Sequence, residues 1–301
     1  MNSNVIKPRA EILPLTGIRA LAAWWVVMYH TAYILPPQLV GLYWFARLGD
    51  KGVDLFFVLS GFVISYNYWQ RLSAFSINSY LSFLWVRLAR LYPVHLFTLI
   101  VSLLFLTCVR VFHLATPKDF SGWTLGNFLA NVALVHSWPP YPTDSWNNAS
   151  WSVSCEWFAY LAFPLLVLIG LKRLALPVAA ICAVLFSAIP VALVLAKCDP
   201  PFGALILVIC EFTAGCLVYH VYSRWREHAR FRWLLLFGVF AAFTLLLIFG
   251  WAFPDIFHIS LVLVFPFVIF EVAESSGVFA RLLGSRMVVY WGRVSYSLYM
   301  T

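Results

Sequence analysis

Long apolar runs separated by short polar segments set the pattern of this chain, and each run has the length of a helix. The first, LTGIRALAAWWVVMYHTAY from Leu15 to Tyr33, matches the roughly 20 mostly apolar residues that cross the hydrocarbon core of a bilayer. It predicts a helix over 14–35, closed by Pro36 and Pro37. A second helix is predicted from Val53 to Trp69, ending at Arg71. Ser76 to Leu91 has a polar face and reads as an interfacial helix leading to Pro93, which opens a third span ending near His113. Residues 114–150 are the least regular, with one short apolar run at Leu125–His136. Further spans are predicted over Trp151–Leu171, 175–196, 202–222, 233–252 and 257–273, and a last one begins at Met287.

The pattern therefore predicts an all-α fold: a polytopic transmembrane helix bundle of about nine to ten spans, forming one domain over 1–301. Thr301 falls only fifteen residues into the last apolar segment, so that span is expected to be incomplete and the domain truncated.

Composition supports a membrane class over a soluble one. Of 301 residues 63% are hydrophobic and only 11% are charged, whereas soluble domains carry about 25% charged residues. The net charge of +8 does not point to nucleic acid, because the basic residues sit in short segments between apolar runs rather than on an aromatic-laced soluble face. Thirteen Lys and Arg fall in one set of loops, among them Lys7, Arg71, Lys172 and Arg281, against five on the other side. That asymmetry predicts a cytoplasmic N-terminus. The first span is too long for a signal peptide and lacks a small-residue cleavage site, so it is expected to be retained. The six cysteines show neither metal-ligand spacing nor a disulfide framework and read as small apolar core residues; no metal site is predicted. A glycine-rich phosphate loop, a His-x-x-x-His pair and a G-x-S-x-G elbow are all missing, which removes ATPase, zinc-protease and soluble hydrolase readings.

The chemistry lies in the few polar residues inside the apolar runs. Arg19 and His30 are eleven apart, close to three helical turns, so both project from one face; the rise between them is roughly 16 Å. Ionisable groups within a span usually face a bundle interior or a wet cavity. His30 is the candidate general base, since imidazole takes and returns a proton near neutral pH; the alternative is a histidine satisfied by a neighbouring helix. The forked guanidinium of Arg19 suits phosphate or carboxylate, the alternative being snorkelling to the interface. Arg87 and Arg90, at i and i+3, suit a polyphosphate and equally anionic lipid heads. Ser152 and Glu156 share a helix face, where the carboxylate could orient a histidine, hold an acceptor hydroxyl or form a structural ion pair. Asp54 could cap a helix, and Glu211 and Glu271 read as polar contacts within the bundle.

Five segments in order give a resemblance: LTGIRALAAWWVVMYH (15–30), GVDLFFVLSGFVISY (52–66), RLARLYP (87–93), SWSVSCEWFAYLAFP (150–164) and GRVSYSLYM (292–300). Together they make the chain similar to acyltransferase family 3, the bacterial membrane O-acyltransferases. The resemblance implies transfer of an acyl group, often acetyl, from cytoplasmic acyl-CoA as co-substrate to a hydroxyl of a carbohydrate acceptor, in a multi-pass protein of the bacterial inner membrane. It implies an essential His30, donor-phosphate contacts at Arg19, Arg87 and Arg90, and an S-x-x-x-E element at Ser152 and Glu156. The extended pantetheine arm of CoA is comparable in length to the Arg19–His30 separation. The expectation is thus a donor held by arginines at the cytoplasmic face, with its thioester near His30. Two rival readings remain: a transporter or flippase using the same polar track, and a non-catalytic relative.

Overall fold

The computed structural model describes residues 10–34, 36, 39–72, 75–113, 122–141, 146–225 and 254–301. Every regular element among them is helical. Twelve α-helices follow in chain order: α1 (Leu13–Thr31), α2 (Val40–Arg47), α3 (Lys51–Leu72), α4 (Ile77–Val111), α5 (Leu125–Val132), α6 (Trp151–Ile169), α7 (Leu176–Leu195), α8 (Gly203–Trp225), α9 (Pro254–Ser260), α10 (Phe265–Glu274), α11 (Val278–Leu283) and α12 (Arg286–Met300). The span expected over 233–252, most of the basic segment before it, and Lys7, Arg9 and Lys118 lie outside the described residues.

Five stretches among the described residues are long and apolar enough to cross a membrane: Ile77–Val111, Asn148–Leu168, Leu176–Leu195, Gly203–Arg224 and Ile256–Glu274. The expected count of nine to ten is not confirmed among the described residues. Helices α1 and α3 have the length, but Arg19 and His30 dilute one, and Lys51, Asp54, Asn67, Gln70 and Arg71 dilute the other.

Local structure departs from the expected pattern in three places. The interfacial helix and third span are one continuous helix of 35 residues with Pro93 inside it. Proline removes one donor from the ladder, but helices in apolar surroundings tolerate the loss. At 1.5 Å per residue α4 is roughly 52 Å long, more than the ~30 Å of a hydrocarbon core. Its Arg-bearing first half can therefore lie beyond the apolar zone. The span expected at 257–273 is broken into α9, a 3₁₀ turn over Leu261–Val264 and α10, which starts with Pro266 in its first turn. Finally, VGLYWFAR forms α2, a short helix between the first two helices that the apolar pattern predicts.

Packing centres on α8, which lies against α3 and α7, while α1 lies against α12 and α3. Glycines set the closeness of these crossings. A Cβ on Gly215 would collide with the Val58 carbonyl of α3, and one on Gly61 with the Phe212 carbonyl of α8. Neither obstacle is a side chain that can swing away, and small residues are what allow helix backbones to approach in this manner. Gly215→Ala is therefore expected to cost roughly 1–3 kcal/mol or more through overpacking, read as a lower thermal midpoint. Gly41→Ala is the control, since nothing lies within 4 Å of a Cβ there. Equal midpoints for the two variants would remove this explanation of the α3–α8 contact.

A second buried layer joins α4 and α5 to the loop before α6. His95 and His136 are fully buried and stack with centroids 5.6 Å apart. Ser150 Oγ donates to the Asn147 carbonyl at 2.7 Å, so His136 must donate its Nε2–H to Ser150 Oγ at 2.9 Å. That leaves His136 Nδ1 a buried acceptor without a partner. Burial, with a smaller effect from His95, pulls the His136 pKa down to about 4 against the Ser150 hydrogen bond. The unfolded chain then binds more protons than the folded one below the ordinary value of 6.5. The stabilisation is present above that value and lost as pH falls towards about 4, amounting to roughly 3 kcal/mol. Thermal midpoints measured from pH 7.5 to 4.5 should fall more steeply for the unaltered chain than for His136→Asn. Parallel curves would contradict this.

Candidate active site

Five helices converge on one cavity, and each supplies residues at helical spacing. From α3 come Val53, Phe56, Phe57, Ser60, Val63 and Ile64; from α6, Ser152, Val153, Glu156 and Tyr160. Helix α4 contributes Arg87, Arg90 and Leu91, α12 contributes Ser295, Tyr296 and Tyr299, and α1 contributes Arg19. Steps of three and four residues keep a side-chain stripe on one helix face, so each helix shows the cavity a single stripe. The cavity encloses about 760 Å³ of space free of protein atoms, its mouth included.

Charge in the wall is unbalanced. Arg19, Arg87 and Arg90 face one carboxylate, Glu156. Arg90 is exposed at the rim, while Arg19 and Arg87 are half-buried. The Nε–H groups of Arg19 and Arg87 are shut off from solvent and have no hydrogen-bond partner among the described residues. Arg87 donates from Nη2 to Tyr68 Oη at 3.1 Å, with its guanidinium carbon 5.2 Å from the centre of that ring. This contact orients Arg87 without neutralising it. Glu11, the acid near the start of α1, is engaged elsewhere: it accepts from Arg293 Nη2 and from Thr16 Oγ1, both at 2.7 Å. Its pKa is held below the usual carboxylate range chiefly by Arg293, with partial burial opposing and Thr16 assisting.

Glu156 is tightly held. Its Oε1 accepts from Ser60 Oγ and from Tyr160 Oη, both at 2.5 Å, in the range of a hydroxyl bonded to a charged oxygen. Ser152 Oγ donates to Tyr299 Oη at 2.8 Å, and Tyr296 Oη donates to the Leu91 carbonyl at 2.8 Å. The wall thus offers an anion-seeking region, a fixed carboxylate and several hydroxyl groups. Apolar residues of α3 cover the remainder.

Of the six residues singled out from sequence, Arg19, Arg87, Arg90, Ser152 and Glu156 line this cavity together. His30 does not. It is exposed on the far part of α1, with its ring edge-on to Tyr29 at 5.2 Å. Ser60, Tyr160, Tyr296 and Tyr299 are cavity residues the sequence reading passed over. The available signal was the position of Tyr160 four residues after Glu156, and of Ser60 as a hydroxyl inside an apolar helix. Asp54 is no cap: it is buried and pairs with Lys51 at 3.1 Å, outside the cavity. Glu211 is fully buried, with neither carboxyl oxygen hydrogen-bonded among the described residues. Among the described residues no group of three or more His, Cys, Asp or Glu side chains could hold a metal ion.

Apolar helices of membrane-crossing length enclosing a cavity walled by three guanidinium groups and one carboxylate define a membrane protein with an internal polar site. The sequence model of acyltransferase family 3, described as an acyltransferase domain, matches residues 13–301, and the chain belongs to that family. Acyltransferase MdmB of Streptomyces mycarofaciens is 38% identical over 165 residues, covering 52% of this chain and 40% of that protein. Protein 2 in the picA locus of Rhizobium radiobacter is 34% identical over 112 residues, covering 37% of this chain and 54% of that protein. The chain thus spans about half or less of the length of these curated relatives. No solved structure matches it.

Proposed function

We propose that the chain transfers an acyl group, acetyl in the simplest case, from acyl-CoA to a hydroxyl of a carbohydrate, at the inner membrane and with its N-terminus in the cytoplasm. The observation carrying this reading is the excess of guanidinium over carboxylate in one cavity. CoA presents phosphates at one end and a thioester on an extended arm at the other. Arg90 at the rim and Arg19 and Arg87 further in would take the phosphates, since forked guanidinium groups bind such oxygens bidentately. The arm would run between the apolar residues of α3, bringing the thioester to Glu156.

Glu156 is the proton acceptor in this reading because it shares the cavity with the arginines. The sequence reading gives that task to His30, which lies roughly 16 Å along α1 from Arg19; in the present reading His30 serves the acceptor's end of the path. Membranes containing the full chain, incubated with labelled acetyl-CoA and total glycan, test the proposal. The expected result is label in glycan with one free CoA thiol released per acetyl transferred. Movement of a solute without thiol release would support a transporter instead.

A further inference from the structure

We propose that Ser60 and Tyr160 are positioning residues that hold Glu156 in its working orientation; the inference rests on the function proposed above. Both hydroxyls donate to the same carboxylate oxygen, Oε1, each at 2.5 Å, and they stand 3.3 Å from one another. They come from different helices, Ser60 from α3 and Tyr160 from α6. Oε2 has no hydrogen-bond partner among the described residues, and Glu156 lines the cavity.

Two donors on one oxygen do more than satisfy it. The terminal torsion of a glutamate is broad and nearly two-fold, so a lone carboxylate swings freely. Pinning Oε1 from two directions removes that freedom and commits Oε2 to the cavity. Tyr160 is itself fixed: it is buried, and its ring is set edge-on against Phe83 at 6.1 Å and Phe212 at 6.2 Å. Ordering of this kind is achieved on folding, before substrate arrives, which is the basis of catalysis by preorganisation.

The step this serves is balanced. The acceptor O–H gives its proton to Glu156 Oε2 as its oxygen bonds to the thioester carbonyl carbon. The C–S bond then breaks, and the departing thiolate takes the proton back from Oε2. The products are an ester and CoA thiol, and the carboxylate is regenerated with both donors still in place.

The test uses the full chain in membranes, with labelled acetyl transfer as the readout and CoA affinity as a control. Ser60→Ala and Tyr160→Phe are each expected to lower kcat by about 10–100-fold, with the donor KM within about twofold of the unaltered value. Ser60→Thr, which keeps the hydroxyl, should recover most of the loss. In a Glu156→Gln background neither substitution should cost more than about twofold, because the pair acts through the carboxylate. Full-sized losses in that background, or a change in KM alone, would overturn the inference. An active Glu156→Gln variant would instead overturn the underlying reading of the site. A severe loss in Glu156→Gln with no loss in either hydroxyl variant would overturn the positioning role alone. The two hydroxyls lie on separate helices, so a folding defect in one variant leaves the other as the test.

Discussion

Glu156→Gln is expected to slow acyl transfer by about 10²–10⁴-fold, the usual contribution of a positioned general base. The amide matches the carboxylate in shape and can still accept from Ser60 and Tyr160 at the retained oxygen. Packing around α3 and α6 should therefore survive, and what disappears is a proton acceptor at the atom facing the cavity. In the proposed reading the donor's phosphates are held by other residues, so CoA affinity should stay within about twofold, which marks an interaction realised in the transition state rather than in the ground state. Single-turnover transfer from labelled acetyl-CoA separates the two quantities. Unchanged transfer, or a loss that follows CoA affinity alone, would place the base elsewhere, with His30 the next group to examine.

Arg19→Gln should produce the second large effect, on binding rather than chemistry. Arg19 is half-buried on α1 and feels both Arg90 and Glu156. Its guanidinium lines the cavity, so an anion there meets a charged donor. A hydrogen bond to a charged group contributes about 1.5–3 kcal/mol, which corresponds to a loss of about 10–100-fold in CoA affinity. Arg90 is exposed, so salt should screen its share more than that of Arg19. Equilibrium titration of CoA at low and moderate salt should show Arg90→Gln losing most of its effect as salt rises while Arg19→Gln keeps its own. Equal affinity for CoA in Arg19→Gln and the unaltered chain would remove the phosphate clamp.

The site was legible in the sequence where helical spacing carries the information. Arg87 with Arg90 and Ser152 with Glu156 are separated by three and four residues, and a helix must put each pair on one face. Arg19 stood out because a guanidinium within an apolar run has to face something polar. Tyr296 and Tyr299 were not legible, since a tyrosine near the end of an apolar helix reads equally well as an interface anchor. The α1–α12 packing, with Thr16 against Gly292, brings the α12 stripe to the cavity. The projection of Arg19 and His30 from one helix face did not reveal that their surroundings differ, because burial along α1 depends on which helices reach each end. Pro93 was read as a helix start because proline favours a first turn. Continuous hydrogen bonding on both sides of it is decided by environment, which the local pattern does not encode.

The most direct measurement is a cryo-EM structure of the full chain in a lipid nanodisc with a non-hydrolysable acetyl-CoA analogue. Phosphate density within hydrogen-bonding reach of Arg19, Arg87 and Arg90, with the acyl carbonyl beside Glu156 Oε2, is the expected result. A donor seated outside this cavity, with the three guanidinium groups still unliganded, would contradict it.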